Sequence, residues 1–180
     1  MNKDHLNYHC IFFLFLLSSA CNTNKKSDVD LWLIKKEIKW GMNYNAIEKI
    51  LDDKYHLIYK NKVQVYNKSS YLFSGGSIDG IKTKGWKFNF INDAIEGIDI
   101  LIENETKEEM LWNYQRLSRH FSKIAERDYG ASNDSWRYCQ IGNDGEKSCD
   151  TDIFMFKKEK KILVNIFRAN NYNESIFIFN

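Results

Sequence analysis

TKEEMLWNYQRLSRHFSKI, Thr106–Ile124, decides the fold class. Thr106 and Glu109 form a capping box, in which a hydroxyl and a carboxylate each take an amide left free at a helix start. Met110, Tyr114, Leu117, Phe121 and Ile124 then recur every three or four residues and line one face of a helix. Burying five such side chains contributes roughly 1.5–3 kcal/mol each before entropy is counted. Tyr129-Gly130 is the expected stop, because glycine turns left-handed at little cost. On both sides of this helix the apolar period falls to two. Trp86, Phe88 and Phe90 alternate with Lys87 and Asn89, Asn92-Asp93 turns the chain, and Ile95–Ile102 returns. Downstream, Trp136–Ile141, Ser148–Phe156, Ile162–Arg168 and Ser175–Phe179 read as further strands. A long helix set between runs of hairpin strands is an α+β pattern with antiparallel pairing.

Further upstream, Gly41-Met42-Asn43 marks a second helix start. Asn43 is the cap, Met42 is placed to pack on Ile47 as a hydrophobic staple, and Ile47, Ile50 and Leu51 form the stripe. Asp52-Asp53 closes it. Leu31–Trp40 fits a short helix or a strand, with the parity of Trp32, Ile34, Ile38 and Trp40 favouring strand. Tyr55–Tyr59 and Val63–Tyr66 read as strands, and Ser69–Lys84, with Gly75, Gly76 and Gly80, as a long mobile loop. The expected architecture is therefore α+β, two helix-then-antiparallel-meander halves packed as one domain over 31–180, with halves at about 31–104 and 105–180.

The N-terminus predicts export. The apolar run Ile11–Leu17 is followed by the small residues Ser18-Ser19-Ala20 and then Cys21. A run of this length is a secretory leader, too short to cross a bilayer as a helix. LSSAC resembles the lipobox of bacterial lipoproteins, with Ser18 where a leucine is usual. That resemblance implies cleavage before Cys21, acylation of its sulfur, and 21–30 as a lipidated tether after the signal peptide 1–20. Ser18 and Ala20 equally suit ordinary signal peptidase, which gives a secreted or periplasmic chain, and an uncleaved anchor is the third alternative. Cysteine parity favours the lipid: cleavage leaves Cys21, Cys139 and Cys149, and acylating Cys21 leaves one pair. Two or three acyl chains, at about 0.8 kcal/mol per buried methylene, hold permanently. By the same resemblance, Asn22 after the cysteine implies outer-membrane cargo.

Composition excludes several classes. Apolar residues make up 43% and aromatics 15%, too much for a disordered chain. A mature length of about 160 residues buries enough surface to fold without a metal. The 26 basic and 24 acidic residues nearly cancel, without the one-sided excess of a nucleic-acid binder. Proline is absent, so turns fall to Asn, Asp and Gly.

Cys139 and Cys149 stand symmetrically about Asp144, the centre of a three-residue turn Asn143–Gly145 with Gly145 left-handed. Such a hairpin sets the two cysteines opposite each other, within disulfide reach. Two unpaired thiols are the competing reading. Catalytic signals are weak. His120 reads as a surface or boundary residue, His56 has no second ligand nearby, and Ser74-Gly75-Gly76-Ser77 lacks the Lys-Ser/Thr of a phosphate loop. Lys157–Lys161 reads as a solvated hairpin tip that blocks edge aggregation, with contact to anionic lipid or peptidoglycan near the anchor as the alternative. No catalytic residue, metal or cofactor is expected.

Trp40-Gly41-Met42-Asn43, followed by Ile47, Ile50 and Leu51, resembles the helix start of small exported α/β lipoproteins. These include the outer-membrane assembly lipoproteins of BamE/SmpA type and the two-repeat β-lactamase-inhibitor fold. Ala46 and Asp52-Asp53-Lys54 stand where such proteins usually have Glu and Gly-x-Pro. The resemblance implies a fold and not a job, since such folds host several. The expected function is a non-enzymatic, lipid-anchored envelope protein working through protein contacts on the periplasmic face of the outer membrane. The alternatives are a periplasmic inhibitor or immunity protein against a toxin or hydrolase, and an envelope hydrolase whose cleft joins His56 or His120 to carboxylates.

Overall fold

In the computed structural model, residues 37–55, 57–127 and 134–169 are described. The leader, Cys21, the tether, most of Leu31–Trp40, His56, Tyr129-Gly130 and Ser175–Phe179 lie outside them. The fold is α+β: helix α1 (Tyr44–Lys54), β1 (Leu57–Val65), β2 (Lys68–Gly75), β3 (Ser77–Ile78), β4 (Ile81–Lys82), β5 (Gly85–Ile91), β6 (Ala94–Glu103), helix α2 (Lys107–Ile124), β7 (Glu126–Arg127), β8 (Asp134–Ile141), β9 (Lys147–Lys158) and β10 (Lys161–Arg168). Eight strands form one antiparallel sheet in the order β1-β2-β5-β6-β10-β9-β8-β7, and β3-β4 is a separate ribbon.

Both expected caps are present. The Ala46 amide donates to Asn43 Oδ1 at 3.0 Å, and the Glu109 amide donates to Thr106 Oγ1 at 3.0 Å. The Glu109 carboxylate reaches one residue further back than a standard capping box and takes the Glu105 amide at 2.8 Å. The start of α1 is also pinned to the sheet, because Gly41 and Met42 exchange backbone hydrogen bonds with Ile95.

Period-two alternation puts Tyr71, Phe73, Trp86, Phe88, Phe90, Ile98, Ile100, Ile153, Met155, Val164 and Ile166 into one core with Ile47 and Leu51 of α1 and Leu117 and Phe121 of α2. Tyr44 of α1 stacks on Tyr71 at 3.5 Å between ring centroids, and Phe121 of α2 meets Trp136 at 5.2 Å. The helices therefore share one face of the sheet.

Three expectations change. Ser69–Lys84 is not a loop: it holds β2, β3 and β4. Its positive-φ residues Gly75, Gly76, Asp79 and Gly80 sit at the connections, while buried Tyr71 and Phe73 keep strand alternation among serines. Tyr55–Tyr59 and Val63–Tyr66 are not two strands but the single strand β1, continuous through a bulge between Tyr59 and Asn61. Helix α2 stops at Ile124, before Tyr129-Gly130, because Ala125 turns extended and β7 begins at Glu126.

Candidate functional site

Among the described residues, the exposed large apolar side chains cluster on β1 and the turn that follows it. Ile58, Tyr59, Val63, Val65 and Tyr66 are between 48% and 94% exposed. Among the described residues β1 is a terminal strand of the sheet, paired on one side with β2. Register sorts its side chains: Ile58, Val63 and Val65 stand opposite Ser74, Ser70 and Lys68 on the face away from the helices. Tyr59 packs edge-on against core Phe73, at 5.6 Å, and Lys62 lies over the Tyr71 ring, at 5.1 Å. From Leu57 to Ile78 the charges are Lys60, Lys62 and Lys68, with no acidic residue. This edge is apolar and cationic together.

On the same outer face, behind this edge, a polar network crosses four adjacent strands. Asp99 of β6 accepts from Asn89 of β5 at 2.9 Å and from Asn165 of β10 at 2.7 Å, and lies 3.7 Å from Lys87 Nζ. Ser70 of β2 donates to Asn89 Oδ1 at 2.8 Å. Burial pushes the Asp99 carboxyl above the usual carboxylate range and outweighs the two amides and Lys87, which pull it down. Burial likewise lowers the Lys87 ammonium, against the pull of Asp99. The network fixes register across these four strands.

The β8–β9 hairpin carries the expected disulfide, Cys139–Cys149, with a Cα–Cα distance of 4.0 Å. Gly145 is left-handed at φ +80°, and the Gly142 amide closes the turn on Glu146 O at 2.8 Å. The residues from Gln140 to Ser148 are exposed, Ile141 at 78%. Closing so short a covalent loop stabilises the hairpin by about 2.5–3 kcal/mol.

His120 lies half-buried on α2, with Nδ1 3.7 Å from Asp79 Oδ1 in the β3–β4 turn. The two residues line a half-open cavity of about 370 Å³ with Trp112, Arg116, Arg119 and Lys123. A carboxylate and a histidine thus share a cleft, and none of its lining side chains is a hydroxyl or thiol nucleophile. Sequence reasoning missed this grouping because Asp79 fell in the segment read as loop. Ser74-Gly75-Gly76-Ser77 joins β2 to β3; Thr83 and Trp86 both donate to its Gly75 carbonyl. Lys157–Lys161 takes in the end of β9, the two-residue turn Glu159-Lys160 and the start of β10, with Glu159 left-handed. Among the described residues, no group of three His, Cys, Asp or Glu side chains is placed to hold a metal, and no helix is long and apolar enough to cross a membrane.

Compared with known protein families, curated proteins and solved structures, the chain matches none of them.

Proposed function

We propose that this chain is a lipid-anchored protein of the bacterial envelope, held through Cys21, that acts by protein contacts rather than by catalysis. One observation carries the contact reading: the long, exposed, apolar and lysine-bearing edge of β1. A terminal strand offers a row of backbone donors and acceptors, and an extended segment of a partner can add to it as a further strand. Lys60 and Lys62 select a partner strand that alternates apolar with acidic side chains, and they repel a second copy of the same edge. The order of helix and meander strands, repeated on either side of Glu103, supports the two-halves reading and the likeness to BamE-type lipoproteins.

Affinity purification from native envelopes tests it, with the wild type beside a Val63→Lys/Val65→Lys variant. The expected result is one protein recovered reproducibly with the wild type and lost with the variant. No reproducible partner, or equal recovery with both chains, overturns the proposal. Labelling with radioactive palmitate, present in the wild type and absent in Cys21→Ser, tests the anchor.

A second reading, an inhibitor or immunity protein, is favoured by the disulfide-braced hairpin. A rigid projecting loop with an exposed Ile141 suits insertion into a cleft, since little ordering entropy is lost on binding. Killing of a deletion strain by its siblings would separate this reading from the first.

A further inference from the structure

The cleft between α2 and the β3–β4 turn is built, not incidental. Trp112, Arg116, Arg119, His120 and Lys123 follow at helical spacing, so one side of α2 presents an indole and four nitrogen bases or cations in a row. The opposite wall is Asp79, held left-handed at φ +48° in a turn that Gly80 completes. Asp79 fixes that row: Arg116 Nε donates to its Oδ2 at 2.9 Å, and His120 Nδ1 lies 3.7 Å from Oδ1. Arg116 is held on its other side by the Trp112 ring, at 5.5 Å from the centroid. Gly80 takes the left-handed φ of +72° that completes the Asp79 turn, a conformation a larger side chain would strain. Trp112 itself is 56% exposed and lines the cleft, with one face of its ring carrying Arg116 and the rest of the indole open.

The charges specify the ligand. Asp79 compensates Arg116, whereas Arg119 and Lys123 lie exposed on the rim. That surplus calls for an anionic group. A bare anion is a poor fit, because it would meet Arg119 and Lys123 on the rim and leave the Trp112 side of the cleft unfilled. A ligand that also carries hydroxyl donors satisfies Asp79 while its anionic group meets Arg119 and Lys123. Trp112 calls for a ring with an apolar face. A cavity of about 370 Å³ is the size for one or two rings.

We propose that this cleft binds a sugar bearing a carboxylate or a phosphate, with the ring on Trp112, hydroxyls toward Asp79 and the anion between Arg119 and Lys123. This site is independent of the β1 edge, and its failure would leave the protein-contact reading untouched.

The test follows the Trp112 indole resonance of the full mature chain by NMR, assigned with Trp112→Phe, during titration with glucuronate, glucose 6-phosphate, glucose and inorganic phosphate. Glucuronate and glucose 6-phosphate should each give a saturable shift, and both should weaken with added salt. Glucose and inorganic phosphate should each bind at least about tenfold more weakly. Arg119→Gln/Lys123→Gln should lose about tenfold for both sugar anions at unchanged thermal midpoint, since both side chains are exposed. Absence of a saturable shift for either sugar anion at about 50 mM overturns the proposal. So does glucose binding as well as glucuronate, phosphate binding as well as glucose 6-phosphate, or an Arg119→Gln/Lys123→Gln variant that binds like the wild type.

Discussion

Asp99 sits at 3% exposure, near the centre of the sheet, and its titration is a handle on the outer-face network. A carboxyl whose folded pKa is raised contributes stability that is present below its unfolded value, near pH 3.9, and lost as pH rises through the folded value. Because burial holds the Asp99 carboxyl high, the wild type should lose stability relative to Asp99→Asn as pH climbs from about 3 toward neutrality. Urea midpoints of both proteins across that range give the slope, which is the readout rather than the offset. A wild-type advantage that grows with pH would mean that Lys87 and the amides outweigh burial. Lys87 and Asn89 were visible as the non-core side of an alternating strand, whereas Asp99 lay unmarked within the returning strand Ile95–Ile102. Their meeting was not visible, because it depends on the cross-strand pairs Lys87↔Asp99 and Asp99↔Asn165, and Asn165 is distant in sequence.

At the scale of elements, α2 separates the contribution of a core contact from that of a cap. Phe121 is fully buried against Trp136, so Phe121→Ala should cost about 3–5 kcal/mol through lost contacts and a residual cavity. Thr106→Ala removes one exposed capping bond and should cost about 1 kcal/mol. Chemical denaturation of the two variants measures both, and equal losses would mean that the apolar face does not seat the helix. Both features were legible in the sequence because a capped amphipathic helix is a local object. So was the cysteine hairpin, whose turn residues lie between the two strands that they join. Strand β2 was hidden because Ser69, Ser70 and Ser74 with Gly75 and Gly76 carry a turn's composition, and only its pairing with β1 and β5 brings out Tyr71 and Phe73. With it was lost Asp79, and with Asp79 the cleft on α2. The exposure of β1 was likewise unreadable, since being terminal is a property of the whole sheet and not of the strand.

For the molecule as a whole, the decisive pairing is β6 with β10, from Gly97↔Phe167 to Glu103↔Lys161. The strands before α2 and those after it meet along this one seam, near the middle of the sheet. Ending the chain at Lys160 should therefore abolish cooperative melting altogether rather than shave the sheet by one strand, since both β6 and β9 lose their shared neighbour. A calorimetric scan of the truncated chain checks this, and a sharp transition near the wild-type temperature would refute it. Translation runs in the direction opposite to what this seam needs. While Asn104 to Lys160 emerge from the ribosome, β6 waits without its far neighbour, and the piece that closes the sheet is among the last described strands to be made. Until that strand arrives the β6 edge stays uncovered, so the sheet can be completed only after nearly all of the described residues have been made.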